Sequence, residues 1–226
     1  MNRIPLLAIA LAIPLSACGG GGGPAAVTVD PAAFVAGIDH KYFPISKGRT
    51  WDYVGEDSGL GKRESVTTLD ATRMILGVAC TAVHGEVFLD GVLTEVSTEW
   101  FAEDARGNVW KFGEEALDWD GVNLARTEDS WIAGVGGARP WVAFLANPRV
   151  GDRVHGYVPG GEEVLVVRAV DQTVVLPSGV FTGCIEIVEN PDDPEDSDII
   201  LYAPGVGKVS ETNPTGRVEL GSTTGG

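Results

Sequence analysis

Pairs of carboxylates on predicted strands are the residues of this chain that could carry acid–base chemistry. The pairs are Glu99 with Glu103 and Glu114 with Asp118. Glycosidases use two such carboxylates as acid and base. In an acidic β protein, however, such pairs also arise on the solvent-facing side of strands, and the sequence supplies no third supporting group. A hydrolase of polysaccharide or peptide that uses carboxylates near Glu99, Asp104 and Glu114 is therefore an alternative hypothesis, and we assign no catalytic residue.

Metal-binding motifs have little support in this sequence. The three histidines lie far apart, so they lack the spacing of zinc ligands. The acidic loop 118–121 does not fit an EF-hand, because alignment on Gly121 puts Ala116 and Thr127 at ligand positions. A second acidic loop, 192–198, lies between two strand-like segments and predicts a solvated hairpin loop. We therefore expect no metal and no cofactor.

Six tryptophans provide a second candidate site. Indole rings bury large areas and suit half-buried strands, so core packing is the first interpretation of most of them. The alternative is that several aromatic residues line a groove that holds an apolar or carbohydrate ligand. In that case we expect the lining to be Trp51, Tyr53, Trp100, Trp110 and Trp131.

The pattern of apolar residues predicts the elements that would position these side chains. Apolar residues alternate or come in short runs, with Gly, Pro or Asp-Gly at intervals of about eight to twelve residues, which predicts an all-β fold. We expect a single antiparallel domain of about a dozen strands, arranged as a curved sheet, a barrel or a sandwich. Asp90-Gly91 predicts a type I′ hairpin turn, and Asp120-Gly121 predicts a second one.

The first 17 residues have the features of a secretion signal. Arg3 is followed by an apolar run, 4–15, that is too short to span a bilayer. The sequence Leu15-Ser16-Ala17-Cys18 then resembles the lipobox of bacterial lipoproteins, and 19–23 is a flexible all-glycine spacer. The resemblance implies export and a lipid on Cys18, whose acyl chains would hold the protein at a membrane.

The alternative for this segment is an ordinary signal peptide, cut near Ser16-Ala17, that leaves a soluble periplasmic or secreted protein. If Cys18 is lipidated, the following Gly19 favours the outer over the inner membrane, because an Asp there resembles the inner-membrane retention signal. The predicted organisation is a signal peptide over 1–17, a lipidated tether over 18–33, a β domain over 34–220 and a disordered tail over 221–226.

The net charge argues against several partners. Removing residues 1–17 takes away one Arg and no acid, so the mature chain has 15 basic and 32 acidic residues, a net charge of −17. This charge repels nucleic acids and anionic lipid headgroups, so we expect no nucleic-acid partner and membrane contact through the lipid alone. The acidic surface either keeps an exported protein soluble or gathers divalent cations or basic partners.

Two cysteines remain if Cys18 carries lipid. Cys80 and Cys184 lie in strand-like segments. An oxidising periplasm permits a disulfide between them, whereas two free, buried thiols are the alternative.

Three sequence strings resemble an uncharacterised family of exported or lipidated bacterial β-rich proteins. They are Tyr42-Phe43-Pro44-Ile45 followed by Gly48, Trp51 and Tyr53; Gly107-Asn108-Val109-Trp110-Lys111-Phe112-Gly113-Glu114; and Tyr202-Ala203-Pro204-Gly205-Val206-Gly207-Lys208-Val209. The resemblance, from about residue 42 to 211, implies an exported β-rich domain and transfers no catalytic residue. We therefore expect a cell-envelope lipoprotein that binds a hydrophobic ligand or an envelope partner without catalysis; an envelope hydrolase and a structural or surface-display protein are the alternatives.

Overall fold

A computed structural model describes residues 28–127, 130–158 and 161–225 of the protein. These residues form one antiparallel sheet of 14 strands and a single 3₁₀ turn, Pro31–Ala33. The prediction of a single all-β domain is confirmed. The sheet is not closed, so the chain adopts the curved sheet among the three predicted architectures. No helix among the described residues is long and apolar enough to cross a membrane.

The strands follow one another along the chain as β1 Thr50–Asp57, β2 Leu60–Ile75, β3 Val78–Leu89, β4 Val92–Glu103, β5 Val109–Trp119, β6 Leu124–Arg126, β7 Trp131–Ile132, β8 Trp141–Phe144, β9 Arg153–Val158, β10 Gly161–Leu176, β11 Gly179–Glu189, β12 Asp198–Ala203, β13 Gly207–Thr212 and β14 Gly216–Thr224. The alternation of buried and exposed side chains along β1 shows how the sequence pattern forms a strand. Trp51 and Tyr53 are buried on the inner face, whereas Val54 is exposed.

The order of strands across the sheet joins two runs of hairpins. That order is β6-β5-β4-β3-β2-β1-β14-β13-β12-β11-β10-β9, and the short strands β7 and β8 also pair with β5. The pairing of β1 with β14 connects the two runs, β1–β6 and β9–β14. Residues 221–224 therefore belong to β14 and not to a disordered tail, because Thr50 and Trp51 of β1 pair with Thr224 and Thr223.

The two Asp-Gly turns differ from each other. Asp90 and Gly91 both have positive φ angles, 47° and 82°, as a type I′ turn requires, so this prediction is confirmed. Asp120-Gly121 is instead part of a four-residue turn between β5 and β6. There the Asp120 carboxylate accepts hydrogen bonds from the backbone N–H groups of Val122 and Asn123, at 2.8 Å each. The type I′ prediction is wrong at this turn because the Asp side chain organises a longer loop.

A segment before β1, residues 40–45, covers one end of the curved sheet. Tyr42 and Ile45 are buried, and the Phe43 ring stacks on Phe144 with their centroids 4.5 Å apart. The backbone of Gly205, in the turn between β12 and β13, donates a hydrogen bond to the Lys41 carbonyl at 2.8 Å. Phe43 and Ile45 therefore lie over the inner face, beside the charged residues that line the same cavity.

Trp141 lies on β8, beside β5, and contacts β9 at the opposite end of the sheet. Its ring, on β8, packs against Gly156 of β9, where an added Cβ would lie 2.5 Å from the indole. We expect Gly156→Ala to lower the free energy of unfolding by about 1 to 3 kcal/mol, because overpacking forces the ring or the strand to move. Urea unfolding followed by tryptophan fluorescence measures the change.

Gly161→Ala is the matched control for this substitution. A Cβ at Gly161, at the start of the adjacent strand β10, has nothing within 4 Å and meets an ordinary φ angle. We expect its stability to stay within about 0.5 kcal/mol of the parent. Equal stability of Gly156→Ala and Gly161→Ala would show that the contact with Trp141 does not hold the two sheet ends together.

Candidate functional site

The inner face of the sheet encloses two adjoining cavities of about 150 and 140 Å³. Phe43, Glu99 and Tyr202 line both of them. We call the first the Lys208 cavity and the second the Lys111 cavity, after the lysine in each, and together they form the interior chamber. Its walls combine aromatic side chains with carboxylates, which is the mixed lining of a small-molecule site.

Lys208 lies in the first cavity between two carboxylates. Its Nζ donates hydrogen bonds to both oxygens of Glu64, at 2.9 and 3.0 Å, and to Glu211 at 2.8 Å. The ammonium also lies 4.5 Å from the centre of the Tyr53 ring. Burial acts against the charged form, but the two carboxylates outweigh it, so the pKa of Lys208 is well above its ordinary value. The lysine therefore remains charged and paired.

Lys111 has the same arrangement in the second cavity. Its Nζ lies 2.7 Å from Glu99 and 2.7 Å from Glu114. Burial opposes its charge, yet the carboxylates raise the pKa of Lys111 well above normal. Burial and the neighbouring Glu99 raise the pKa of Glu114 to about 7. Each lysine thus forms ion pairs with two carboxylates. We call these two groups the lysine clamps: Lys208 with Glu64 and Glu211, and Lys111 with Glu99 and Glu114.

A β-bulge builds each clamp. Residues three apart on a regular strand face opposite sides of a sheet. On β5 the pairing with β4 shifts between Lys111 and Gly113, so that Lys111 and Glu114 both reach the inner face. On β13 a shift opposite Tyr202 does the same for Lys208 and Glu211. The bulges therefore turn the sequence pattern Lys-x-x-Glu into an ion pair on one face of a strand.

Further carboxylates on the inner face are not part of the lysine clamps. Glu189 of β11 lies directly opposite Asp198 of β12 in the sheet register. Burial and then Glu163 raise the pKa of Glu189 to about 8. Burial and then Glu211 raise the pKa of Asp198 to about 6. The chamber therefore holds more carboxylates than its lysines neutralise, and some of these carry protons near neutral pH.

Two of the five predicted groove aromatics line the chamber. Trp51 and Tyr53 both face the Lys208 cavity. The Trp51 indole donates a hydrogen bond to the carbonyl of Val206 at 2.6 Å, and the Tyr53 hydroxyl donates to the carbonyl of Lys208 at 3.1 Å. Two of the strings that resemble an exported family thus meet here, because one supplies the aromatic rings and the other the carbonyl groups.

The other three aromatic candidates lie away from the chamber. Trp100 is buried beneath the guanidinium of Arg73, 4.5 Å from its ring centre. Trp110 packs edge-on against Phe34 with a centroid distance of 6.0 Å. Trp131 is buried on β7, which pairs with β5. None of the three lines either cavity of the chamber, but Trp110 lines a separate, open cavity of about 580 Å³ beside Phe34 and Asp104.

The carboxylates of the hydrolase hypothesis are only partly brought together. Glu99 and Glu114 lie on opposite sides of Lys111. Asp104 is instead part of the turn between β4 and β5, where it accepts hydrogen bonds from Arg106, Asn108 and Trp110. Burial acts to raise its pKa, but these hydrogen bonds outweigh it and leave the pKa of Asp104 below normal. Asp104 therefore organises a loop.

Metal ligands and cysteines add no further site. Among the residues that the structure describes, no group of three or more His, Cys, Asp or Glu residues is arranged to hold a metal ion. Cys80 and Cys184 are buried free thiols, and burial raises the pKa of Cys80 to about 12. The predicted lipidation site, Cys18, lies outside the described residues.

Sequence reasoning missed both lysine clamps, although a signal for them exists. The strings Lys111-Phe112-Gly113-Glu114 and Lys208-Val209-Ser210-Glu211 share the Lys-x-x-Glu pattern and fall within or next to two of the resemblance strings. A lysine and a glutamate three residues apart on two separate strands indicate a repeated local structure. The bulge that makes the pattern meaningful is visible only in the sheet register.

Comparisons with known proteins identify no relative. No family model matches the chain. No curated protein and no solved structure matches it either. The chemistry of the chamber is therefore the basis on which a function can be proposed.

Proposed function

We propose that the protein is a lipid-anchored protein of the bacterial cell envelope that binds a ligand in its interior chamber without catalysis. The observation that carries this proposal is the chamber itself, a walled space with aromatic side chains and buried charges on the inner face of a curved sheet. Such a mixed lining fits a ligand with both apolar and polar parts. The proposal narrows the expected hydrophobic ligand to one with a polar group.

The lysine clamps favour binding over hydrolysis. A glycosidase needs one carboxyl group to donate a proton and a second to act as base or nucleophile. Here Lys111 lies 2.7 Å from both Glu99 and Glu114, which holds the two carboxylates against a fixed cation. The hydrolase remains the second candidate because the pKa of Glu114, about 7, is suited to a general acid near neutral pH.

The envelope location rests on the amino-terminal sequence. The apolar run, the lipobox-like Leu15-Ser16-Ala17-Cys18 and the glycine spacer support export and a lipid on Cys18. The absence of Asp after Cys18 supports the outer membrane. With the β domain joined to Cys18 through the glycine-rich segment 19–23, the chamber would be presented on the aqueous side of that membrane.

Native mass spectrometry of the full-length protein, extracted from its own membrane in mild detergent, tests this proposal. We expect the polypeptide to begin at Cys18 with the mass of the attached acyl chains, and to retain a non-covalent adduct that dissociates on activation. The matched control is Phe43→Leu, which removes an aromatic ring that lines both cavities and should lose the adduct while keeping the lipid. A bare protein mass under all conditions would favour the structural or surface-display alternative.

A further inference from the structure

We propose that the interior chamber binds a small organic cation, with its ammonium or guanidinium group at Glu189 and its apolar part against Phe43, Phe144 and Tyr202. This inference rests on the proposed binding function and names the class of ligand. The ligand would therefore be an amine or guanidine with an aliphatic or aromatic portion.

The first support is a carboxylate without a cation. Glu189 lines the Lys111 cavity. Within the described part of the chain, no group donates a hydrogen bond to its carboxylate and no lysine or arginine forms an ion pair with it. Water can enter the cavity, yet protein surrounds the carboxylate closely enough that burial raises its pKa to about 8. A ligand cation would supply the counter-charge that this group lacks.

The second support is the charge of its surroundings. The charged groups with the largest effect on the pKa of Glu189 come from four strands, and they are Lys111 of β5, Glu163 of β10, Asp198 of β12 and Glu211 of β13. Lys111 is the one cation among them, and it is already held by Glu99 and Glu114. This end of the chamber is therefore negative when its carboxyl groups are ionised, and it attracts positive ligands.

The third support is the aromatic wall of the same cavity. The Phe43 and Phe144 rings stack with centroids 4.5 Å apart, and Phe144 meets Tyr202 edge-on at 5.0 Å. Aromatic faces attract ammonium and guanidinium cations, and the attraction is larger when the cation is desolvated. The same rings also accept the hydrocarbon part of a ligand. The aromatic wall can thus contact both the charged group and the hydrocarbon part of a ligand.

The fourth support is a buried donor without an acceptor. Trp141 lines the Lys111 cavity, and the residue is only 7% exposed. Its indole N–H has no hydrogen-bond partner among the residues that the structure describes. Buried donors are normally paired, so this indole N–H is an unmet donor in the wall of the cavity.

The geometry favours an organic cation over a metal ion. Calcium requires about six to eight oxygen ligands gathered at one point. In the described residues no cluster of three or more His, Cys, Asp or Glu residues is arranged for a metal ion. An ammonium or guanidinium group needs fewer oxygen ligands than calcium, and it can lie between Glu189 and the ring faces.

Isothermal titration of the full-length protein in detergent with benzylammonium, at a pH of about 8.5 where Glu189 is ionised, tests the inference. Benzyl alcohol is the neutral counterpart and calcium chloride the metal probe. We expect benzylammonium to bind at least roughly tenfold more tightly than benzyl alcohol, and calcium not to compete with it. One full charge contact in a semi-enclosed site accounts for a preference of this size.

Glu189→Gln should remove the preference for benzylammonium over benzyl alcohol. The matched control is Glu195→Gln, which makes the same charge change on an exposed loop and should keep the preference. Because Glu189→Gln removes a desolvated carboxylate, its melting temperature at this pH should equal or exceed that of the parent, which shows that lost binding is not lost folding. Equal benzylammonium affinity in both variants would overturn the assignment.

The remaining outcomes separate the inference from the proposed function. A native adduct whose mass identifies a neutral or anionic molecule would keep the binding function and reject the cation. Calcium binding that displaces benzylammonium would also reject it in favour of a metal. Absence of both a native adduct and any probe binding would reject the inference together with the binding function.

Discussion

Replacing Lys208 with methionine is expected to lower the free energy of unfolding by about 3 to 5 kcal/mol, the effect of removing one partner of a buried ion pair. Lys208 holds Glu64 and Glu211 through hydrogen bonds of 2.8 to 3.0 Å. Methionine fills a similar volume but leaves the two carboxylates close together without a cation. Urea unfolding curves, followed by tryptophan fluorescence, give the change in stability.

Two further variants test the cause of that loss. Lys47→Met removes the same charge from an exposed ion pair with Asp70, and it should change stability by no more than about 0.5 kcal/mol. Adding Glu64→Gln and Glu211→Gln to Lys208→Met should restore part of the loss, because neutral amides do not require a counter-charge. A Lys208→Met variant as stable as the parent would show that the carboxylates do not depend on this lysine.

The ligand-free protein is expected to become more stable as the pH falls from about 8.5 to about 5.5. Asp198, Glu114 and Glu189 have pKa values of about 6, 7 and 8 in the folded protein, above those of carboxyl groups in an unfolded chain. The folded state thus binds these protons more tightly. The resulting stabilisation is complete below a pH of about 4 and is lost as the pH rises through the folded pKa values.

Differential scanning calorimetry across this range measures the effect. We expect the melting temperature to be higher at the acidic end by roughly 5 °C, which corresponds to about 2 kcal/mol for a domain of this size. The pKa of Glu211 is below normal because Lys208 outweighs its burial, so stability should fall again at still lower pH. Glu189→Gln should flatten the alkaline part of the curve, and a melting temperature that decreases steadily from alkaline to acidic pH would contradict the prediction.

Local patterns in the sequence predicted much of the fold. Strand alternation, as at Trp51 and Tyr53, together with turn residues, as at Asp90-Gly91, depends on neighbouring residues only, and both features were predicted correctly. The pairing of β1 with β14 could not be predicted in this way. It joins residues at opposite ends of the domain, and no local pattern selects one distant partner over another.

The candidate site was less predictable because it depends on departures from regular structure. Strand periodicity places Lys111 and Glu114 on opposite faces, and only the bulge in β5 brings them together. Aromatic content indicated a groove, but it could not separate Trp51, which lines the chamber, from Trp131, which lies on a short strand beside β5. That distinction depends on where the folded sheet places each ring.

The two lysine clamps occupy matching places in two runs of five strands, β1–β5 and β9–β13. Charged side chains of each run act on charged side chains of the other. Lys208 of the second run pairs with Glu64 of the first, while Glu163 of the second run acts on Lys111 of the first. The chamber thus lies at the boundary between the two runs of strands, and its buried charges connect one run to the other.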